Sequence, residues 1–357
     1  MKYQCHRWLF LICYFIINVH LLQAADLDGT TTIVFEEDSV VLSNGDLAKG
    51  FVRFDDGFSV PADASVTLSV ISPVKGEINL NTTGKIVLSS DLFLASNVTL
   101  PSGGVVDGQG NVIFLQGNLT IPRGKKLKIA GNTIIDGQGH ELIFEEESTD
   151  VVGGVMSIDG PVGTSLTLRN IIIKGLKNYT GSRSIKFGVA ANQKLILDNV
   201  VVHLVGDYTF TGGKCNVCNG VIISGAHTLN FRSSYDLTIE KNATLMLDID
   251  VIFKYHPEDK KKTHVVMLDQ TSILFLNGCT INTPRTQGLV LTKGHVIVDH
   301  KSYIDGNSAV RAVQGIIFGD GTEENNVLID IMPAASLEVN EGILTYNNVD
   351  PQVPVGD

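Results

Sequence analysis

The sequence Ser-Leu-Thr-Leu-Arg-Asn-Ile-Ile-Ile, residues 165–173, returns 29 positions later as Lys-Leu-Ile-Leu-Asp-Asn-Val-Val-Val, residues 194–202. Self-similarity at a fixed period of about 20 to 50 residues is typical of a stacked array of small units. The chain is therefore predicted to be an array of repeated units. Two more copies of the first half of this phrase have the same spacing, at Thr244–Asp248 and Ile273–Asn277, and looser copies begin at Val66, Leu127, Leu289 and Leu337.

A second phrase repeats with the same period. Val-Asp-Gly-Gln-Gly-Asn-Val-Ile-Phe, residues 106–114, returns as Ile-Asp-Gly-Gln-Gly-His-Glu-Leu-Ile-Phe, residues 135–144. Both phrases combine an alternating apolar run with Gly, Asn or Asp, which indicates a strand and a turn, and no window longer than about ten residues has helical spacing. The sequence predicts an all-β fold, a parallel solenoid with coils of roughly 20–30 residues, in which each strand pairs with its equivalent one coil away. The glycines predicted at equivalent corners are Gly108, Gly110, Gly137 and Gly139.

Length and charge restrict the classes of partner. The chain has 357 residues and a net charge of -11, with no stripe of basic residues. Nucleic acids and anionic membrane surfaces are bound through clustered Lys and Arg, so neither is an expected partner. No Pro/Ser-rich linker divides the chain, which favours one continuous solenoid of roughly eleven coils.

Residues 1–24 have the pattern of a cleavable secretory leader. Lys2 and Arg7 precede the apolar stretch Trp8–Leu22, and small residues follow it. The alternative is an uncleaved membrane anchor, but the stretch is short and polar residues interrupt it. No membrane span is expected once the leader is removed. The predicted divisions are a leader at 1–24, an irregular N-terminal cap at 25–65, a solenoid at 66–345 and a C-terminal tail at 346–357.

Two of these phrases resemble a known fold. Ile-Asp-Gly-Gln-Gly-His at residues 135–140 and Leu-Thr-Leu-Arg-Asn-Ile-Ile-Ile-Lys-Gly at residues 166–175 are similar to coils of the right-handed parallel β-helix of the pectin-lyase-like superfamily. The resemblance, in its pattern of short strands and turns, covers residues 66–345 and implies that fold. Members of the superfamily include polysaccharide lyases, polygalacturonase-type hydrolases, phage tailspikes and adhesins, so the fold does not select an activity. Polygalacturonase-like members carry Asn-Thr-Asp, Asp-Asp, Gly-His-Gly and Arg-Ile-Lys on successive coils, and this chain does not carry that set.

One column of outward side chains is the candidate ligand site. When the four best copies are aligned on their leading Leu, the third following position points away from the interior, because side chains alternate along a strand. Asp250 is expected on the same face, about 7 Å from Asp248, a separation that suits paired carboxylates of an inverting glycosidase. The alternative is that a solenoid simply needs polar residues outside, and no catalytic residue is assigned. The column consists of Arg169, Asp198, Asp248 and Asn277.

The cysteines and a charge run mark two further segments. Cys215 and Cys218 lie between glycines in a predicted inserted loop, Gly206–Ser224, and a local disulfide is expected in an oxidising compartment. Cys279 is expected to be a small core residue. Residues 253–264 contain two histidines, which can bind a metal, although a solvated loop is the favoured interpretation. No cofactor is predicted, and a calcium site remains compatible with the acidic residues.

Asparagines have two predicted uses. Asn170 and Asn199 are expected at equivalent turns, where Asn tolerates a left-handed backbone and aligned amides hydrogen-bond from coil to coil. Five Asn-x-Thr triplets are acceptor sites if the source organism glycosylates its secreted proteins, and they begin at Asn81, Asn97, Asn118, Asn178 and Asn242.

The sequence favours recognition over catalysis. A secreted or surface-exposed, adhesin-like solenoid that binds an extracellular glycan or a surface protein needs an extended polar face and tolerates loss of any single carboxylate. The alternative is a divergent polysaccharide lyase or glycoside hydrolase, which needs carboxylates of adjacent coils to converge in a groove. Both hypotheses start from the same column of outward residues.

Overall fold

The chain folds into β-strands throughout the part that the structure describes. The computed structural model describes residues 84–95, 97–99, 103–283, 288–306, 314–322 and 324–349, and the backbone of five short strands between residues 33 and 80. No helix occurs in these ranges, so none of them contains an apolar helix that could cross a membrane. The predicted leader, most of the predicted cap and residues 350–357 of the predicted tail lie outside the described residues.

Thirty-six strands, β1 to β36, occur in the described ranges. The first twelve are β1 Ile33–Val34, β2 Ser39–Leu42, β3 Gly57–Val60, β4 Ser65–Leu68, β5 Glu77–Leu80, β6 Lys85–Leu88, β7 Leu92–Ala95, β8 Val98–Thr99, β9 Gly104–Asp107, β10 Val112–Gln116, β11 Leu119–Ile121 and β12 Lys126–Ile129. The next twelve are β13 Thr133–Asp136, β14 Glu141–Phe144, β15 Val155–Ile158, β16 Ser165–Leu176, β17 Asn178–Tyr179, β18 Ser182–Arg183, β19 Ile185–Phe187, β20 Lys194–Leu204, β21 Tyr208–Phe210, β22 Lys214–Ser224, β23 Thr228–Phe231 and β24 Leu237–Ile239. The last twelve are β25 Thr244–Leu247, β26 Ile252–Tyr255, β27 Val265–Met267, β28 Ile273–Asn277, β29 Thr280–Asn282, β30 Leu289–Leu291, β31 Gly294–His300, β32 Ser302–Asp305, β33 Gln314–Phe318, β34 Val327–Ile331, β35 Leu337–Glu341 and β36 Ile343–Tyr346.

Nearly all of these strands pair in parallel with strands from the next stretch of chain. Paired residues lie between 20 positions apart, as in Ser65 with Lys85, and 36 positions apart, as in Asp305 with Glu341. Among the described strands the one antiparallel pair is the hairpin β17–β18. The sheets are one of fifteen strands, one of seven (β2, β4, β6, β9, β12, β15, β19), one of six (β21, β23, β26, β29, β32, β35) and two of three (β1, β3, β5 and β30, β33, β36). Long parallel sheets built from successive segments are compatible with a parallel β-solenoid.

The fifteen-stranded sheet contains two ladders that join at three long, bent strands. The first ladder runs from β7 through β10 and β13 into the first halves of β16, β20 and β22, and then to β24 and β27. The second ladder runs from β8 through β11 and β14 into the second halves of the same three strands, and then to β25, β28, β31 and β34. Each long strand therefore serves two sides of the same coil.

An asparagine with a left-handed backbone forms the bend in each long strand. Asn170, Asn199 and Asn219 have φ angles of 47°, 55° and 55°. The amide of Asn199 donates a 2.9 Å hydrogen bond to Oδ1 of Asn170. Asn adopts this conformation more readily than other non-glycine residues, because its short polar side chain hydrogen-bonds locally. The predicted asparagine turns at residues 170 and 199 are confirmed.

The core lies between the sheets and follows the alternation seen in the sequence. In β16 the buried residues Leu166 and Leu168 pair in register with Leu195 and Leu197 of β20, which are also buried. Burial of each such side chain stabilises the fold by about 1.5–3 kcal/mol. Stacking equivalent residues in register makes this burial continuous from coil to coil.

The 29-residue spacing of the repeated phrases is not kept along the whole chain. Ser165 of β16 pairs with Lys194 of β20, 29 positions away, but Lys194 pairs with Lys214 of β22, only 20 positions further on. The segment Gly206–Ser224, which the sequence predicts to be an inserted loop, is instead a short regular coil that contains β21 and β22. Alternating apolar residues of this segment form the strands, and Gly206, Gly212 and Gly213 lie in the connections.

The predicted equivalence of the glycine corners is also wrong. Val112, after the first Asp-Gly-Gln-Gly phrase, pairs with Ile134, which precedes the second phrase. The first phrase therefore joins β9 to β10, whereas the second joins β13 to β14 at the next corner of the coil. The backbone N–H of Gly139 donates to the carbonyl of Asn170 at 2.7 Å. The same turn chemistry fits either corner, since both need a left-handed residue and a glycine.

Candidate functional site

The outer face of the six-stranded sheet carries a row of polar side chains. Thr209, Asn230, Lys254, Asn282 and Asp305 are in register on adjacent strands from β21 to β32. Their neighbours along each strand are turned into the core, so strand alternation places this row on the outside. The row therefore presents hydrogen-bonding side chains side by side on the outer face of the sheet.

Aromatic side chains under this sheet fix its position. Phe210 packs against Phe187 edge to face at 5.3 Å and stacks on Phe231 at 5.8 Å, and Phe231 stacks on Tyr255 at 6.0 Å. Such pairs contribute about 0.5–1.5 kcal/mol beyond their burial. They hold the strands that display the polar row.

Two adjoining cavities lie along this face, and together we call them the outer groove. The larger cavity has two walls, the hairpin β17–β18 and the loop after β26, represented by Glu258. The smaller cavity lies over the polar row at Thr209, Asn230, Lys254 and Asn282. Cavities of about 610 and 310 Å³ lie along the groove and adjoin each other, because Asn178 and Thr209 line both. Ligand pockets in proteins usually occupy about 300–1,000 Å³. The groove is thus large enough for a small ligand or for part of a longer one.

The hairpin is fastened to the sheet by polar contacts. The amide of Asn178 donates to Oγ1 of Thr209 at 3.0 Å and accepts from the backbone N–H of Thr209 at 2.9 Å. The guanidinium of Arg183 donates to the carbonyl of Thr209 at 2.9 Å and also to the hydroxyl of Thr211. These bonds fix the first wall without help from a ligand.

Two polar atoms at the groove are buried and unpartnered within the described residues. They are Oδ1 of Asn230 and Nε of Arg232. A buried polar group without a hydrogen bond costs about 1–3 kcal/mol, so such groups in native proteins need an explanation. Asn230 and Arg232 line adjoining cavities. Because the two atoms themselves are buried, a polar ligand in the cavities reaches them only when the side chains rotate toward it.

The charges of the groove favour binding over acid–base chemistry. Each cavity is lined by a single carboxylate, Glu258 in the larger and Asp207 in the smaller. Glu258 is paired with Arg232 at 3.2 Å, and Asp207 accepts the backbone N–H of Thr228 at 2.9 Å. Glycosidases instead use two carboxyl groups that flank the bond to be cleaved.

Arg169 and Asp198 are brought together as predicted, but Arg169 is already engaged. The two residues are register partners on β16 and β20. Nε of Arg169 lies 2.9 Å from Oδ2 of Asp136, whose side chain is only 8% exposed. Asp136 also accepts from the amide of Asn170 at 3.2 Å. This carboxylate ties two strands together.

Asp248 and Asn277 form a second pair, on the second ladder. The amide of Asn277 donates to Oδ1 of Asp248 at 2.7 Å. Leu247 pairs with Ile223, which pairs in turn with Val202 of the second ladder, whereas Leu197 belongs to the first ladder. The single column of four residues is therefore wrong. The repeated phrase occupies one side of the coil in its first two copies and another side in the last two.

Asp250 does not lie beside Asp248 on a strand. Strand β25 ends at Leu247, and Asp250 occupies a turn with φ of 63°. Its backbone N–H donates to the carbonyl of Gly278 at 3.1 Å. The predicted strand spacing between the two carboxylates is wrong, because the chain leaves the extended conformation after residue 247.

The three cysteines among the described residues, Cys215, Cys218 and Cys279, are free thiols. Cys215 and Cys218 lie within β22, with Cys215 buried and Cys218 half-buried on the outward side. Residues three apart in a strand lie on opposite faces with Cα atoms about 10 Å apart, beyond the reach of a disulfide. The predicted disulfide is not formed, because the segment is a strand rather than a loop. Cys279 is buried in the core, as predicted.

The outer groove is absent from the sequence-based predictions. Its residues belong to β21, β23 and β26, and their alternating pattern is visible in Tyr208-Thr209-Phe210 and in residues 252–255. The first of these strands falls in the predicted inserted loop and the last at the start of the predicted charged loop. No group of three or more His, Cys, Asp or Glu side chains able to hold a metal ion occurs among the described residues.

Comparisons with known proteins add no family to this geometry. No protein-family model, no curated protein and no solved structure was found to match the chain. The structure alone therefore supports an all-β chain with long parallel sheets and a polar outer groove.

Proposed function

We propose that this protein is a secreted or surface-exposed right-handed parallel β-helix that binds a polar carbohydrate in the outer groove without cleaving it. Parallel pairing between successive chain segments supports the β-helix, and parallel crossover connections are right-handed in almost all proteins. The phrases at residues 135–140 and 166–175 that resemble the pectin-lyase-like superfamily point to the same fold. The polar outer groove supports the adhesin-like role.

The observation that carries the proposed function is the pair of buried, unpartnered atoms at the groove, Oδ1 of Asn230 and Nε of Arg232. One is an acceptor and the other a donor. A sugar hydroxyl both donates and accepts, so a carbohydrate suits both atoms once the side chains of Asn230 and Arg232 rotate toward the groove. An apolar ligand would leave both of them unpaired, which costs binding free energy.

No contact in the groove favours the alternative function, polysaccharide cleavage. Its carboxylates are single and engaged, and the carboxylates of the predicted column lie on different ladders or in a turn. An inverting enzyme needs two carboxyl groups about 6.5–9.5 Å apart on either side of the substrate.

Retention on polysaccharides tests the proposed function. The purified protein is incubated with immobilised polygalacturonate, alginate, xylan and dextran, and both retained protein and new reducing ends are measured. We expect retention on at least one polysaccharide without new reducing ends, and loss of retention in Asn230→Ala. The matched control is Thr238→Ala. Thr238 is an outward position on β24, which belongs to the fifteen-stranded sheet and not to the six-stranded sheet that carries the polar row.

Three results would contradict this function. They are retention on none of the polysaccharides, retention that Asn230→Ala leaves unchanged, and new reducing ends that disappear when Glu258 or Asp207 is replaced. The last result would assign the groove to a hydrolase. New unsaturated ends, followed by absorbance, would assign it to a lyase.

A further inference from the structure

A buried histidine joins two carboxylates next to the outer groove. The side chain of His264 is 3% exposed. Its Nδ1 lies 2.7 Å from Oδ1 of Asp236, and its Nε2 lies 2.8 Å from Oδ2 of Asp259. Asp236 precedes β24, whereas Asp259 lies in the loop between β26 and β27. His264 therefore connects that loop, residues 256–263, to a neighbouring strand.

Both contacts need a protonated imidazole. A neutral imidazole has one N–H donor and one acceptor nitrogen, whereas the imidazolium has two donors. Ionised carboxylates only accept hydrogen bonds, so an unprotonated nitrogen of His264 would face the lone pairs of Asp236 or Asp259. Both hydrogen bonds can form together only when each ring nitrogen of His264 carries a proton.

Two further titratable groups near His264 are Tyr255 and Lys261. The hydroxyl of Tyr255 accepts the backbone N–H of His264 at 2.9 Å and donates to the carbonyl of Lys261 at 2.8 Å. Burial raises the pKa of Tyr255, which keeps the hydroxyl neutral. The ammonium of Lys261 lies 4.0 Å from Asp236. The carboxylates of Asp236 and Asp259 contact the ring of His264 directly, and the ammonium of Lys261 lies beyond Asp236.

The pKa of Asp259 agrees with this arrangement. Burial by itself would raise the pKa of this carboxyl, but hydrogen bonds from the backbone N–H of Lys261 and from His264 hold its pKa below the ordinary value. The carboxylate remains an acceptor until the pH falls below the usual range for aspartate.

The loop held by His264 also forms the second wall of the outer groove. Glu258 directly precedes Asp259, and its carboxylate lies 3.2 Å from Nη2 of Arg232. The backbone N–H of Glu258 donates to the carbonyl of Arg232 at 3.2 Å. Both residues line the larger cavity. A loop that is released at Asp259 therefore loosens the residue that orients Arg232.

We infer that protonated His264 is a positioning residue, which locks the 256–263 loop and thereby makes ligand binding in the outer groove depend on pH. This inference rests on the function proposed above. As the pH rises and His264 gives up a proton, one of its two hydrogen bonds to carboxylates breaks and affinity falls. As the pH falls far enough to protonate Asp259, the hydrogen bond to this residue is weakened from the other side. Binding is therefore strongest in an intermediate window.

The decisive variant is Asp259→Asn. A side-chain amide can donate to an unprotonated Nε2, so this variant keeps the loop attached after His264 gives up its proton. We expect the wild-type protein to bind its polysaccharide about tenfold more weakly on the alkaline side of the transition, and Asp259→Asn to bind with nearly constant affinity. His264→Gln serves as the variant that lacks one of the two hydrogen bonds at every pH, and Thr263→Ala is the control within the same loop.

A second readout does not need a ligand. The protonation of His264 is followed by the ¹⁵N chemical shifts of its ring. Amide hydrogen exchange of residues 256–263 is measured over the same pH range and corrected for the intrinsic effect of pH. Exchange should accelerate about tenfold in the wild type as His264 loses its proton, and should not accelerate in Asp259→Asn. The inference would be overturned by an exchange rate that does not change with the protonation of His264, or by one that changes equally in the wild type and in Asp259→Asn. Exchange that follows His264 while no polysaccharide binds would leave the loop lock standing and remove the proposed function. Exchange that follows His264 while affinity stays constant would overturn the link to the groove.

Discussion

Two rows of polar side chains differ in how completely they are paired. At the bends of β16 and β20, the amide of Asn199 donates to Asn170, and Asn170 donates to Asp136. On the outer face of the six-stranded sheet, Oδ1 of Asn230 has no partner within the described residues. The first row uses its hydrogen bonds to hold strands together, whereas the second contains a buried polar atom without a partner in the described residues. An outward polar column is therefore informative about function only when its partners are known.

Replacing Asp136 should produce the largest loss of stability and so sharpen the contrast. Asp136→Ala leaves Arg169, Asn170 and the backbone N–H of Gln138 without their acceptor. We expect the free energy of unfolding to fall by about 2–3 kcal/mol, less than for a fully buried pair, because Arg169 keeps about a third of its side chain exposed. Urea denaturation followed by circular dichroism measures the change.

The matched control is Asp198→Ala, which removes a less buried carboxylate that accepts one amide hydrogen bond from Asn219. This variant should lose less than about 1 kcal/mol. Equal losses in the two variants would mean that the first row is no more structural than any other set of outward carboxylates.

Replacing Asn170 should have the next largest effect. Asn170→Ala places a side chain with no local hydrogen bond in a left-handed backbone, at a cost of about 1–2 kcal/mol, and also removes the contacts to Asp136 and Asn199. Asn170→Gly relieves the backbone while removing the same contacts, so the difference between the variants isolates the conformational cost. Thermal unfolding of both gives that difference, and identical melting temperatures would show that the bend is unstrained.

Replacing Asn230 should separate binding from stability. Asn230→Ala removes a buried acceptor that has no partner, so the free energy of unfolding should not fall by more than about 0.5 kcal/mol. Affinity for the retained polysaccharide should fall about tenfold, which corresponds to about 1.4 kcal/mol. A large loss of stability instead would place Asn230 in the same structural class as Asp136 and remove the contrast between the rows.

The smallest effects are expected at the cysteines. Burial raises the pKa of Cys215 to about 12, so this thiol should not react with a water-soluble disulfide reagent at pH 8 in the folded protein. Cys218 is half-buried and should react slowly, since burial first and then nearby Glu240 and Asp198 raise its pKa. Unfolding without a reductant should expose three thiols in the chain from residue 25 onward. A single thiol would instead reveal the disulfide between Cys215 and Cys218.

The all-β fold and its parallel pairing could be predicted, because alternation and turn residues act locally. Asn170 and Asn199 also behave as the sequence indicates. The ladder that each copy of the phrase occupies could not be predicted. The pattern Leu-x-Leu followed by Arg, Asp or Asn fits any strand that buries alternate residues. The first ladder continues through β22, β24 and β27, whereas the two later copies lie on the second ladder, and no single copy records which ladder it occupies.

The outer groove is harder to predict for a different reason. It combines a hairpin, three strands and a loop that are distant in sequence, and its significance depends on which polar atoms remain unpaired. His264 illustrates the point, because a histidine in a charged loop looks solvated until Asp236 is brought to its second ring nitrogen. Pairing of this kind is a property of the folded chain.

The short separation between paired strands also determines how the molecule should respond to force. No parallel pair links residues more than 36 positions apart, so the described sheets contain no ladder that fastens distant parts of the chain directly. A chain pulled by its two ends should release one coil at a time from an end, and each released coil would lengthen it by roughly 70–120 Å. Stretching would then yield a series of small, similar steps, and the protein could lose its outermost coils under load while the groove remains intact.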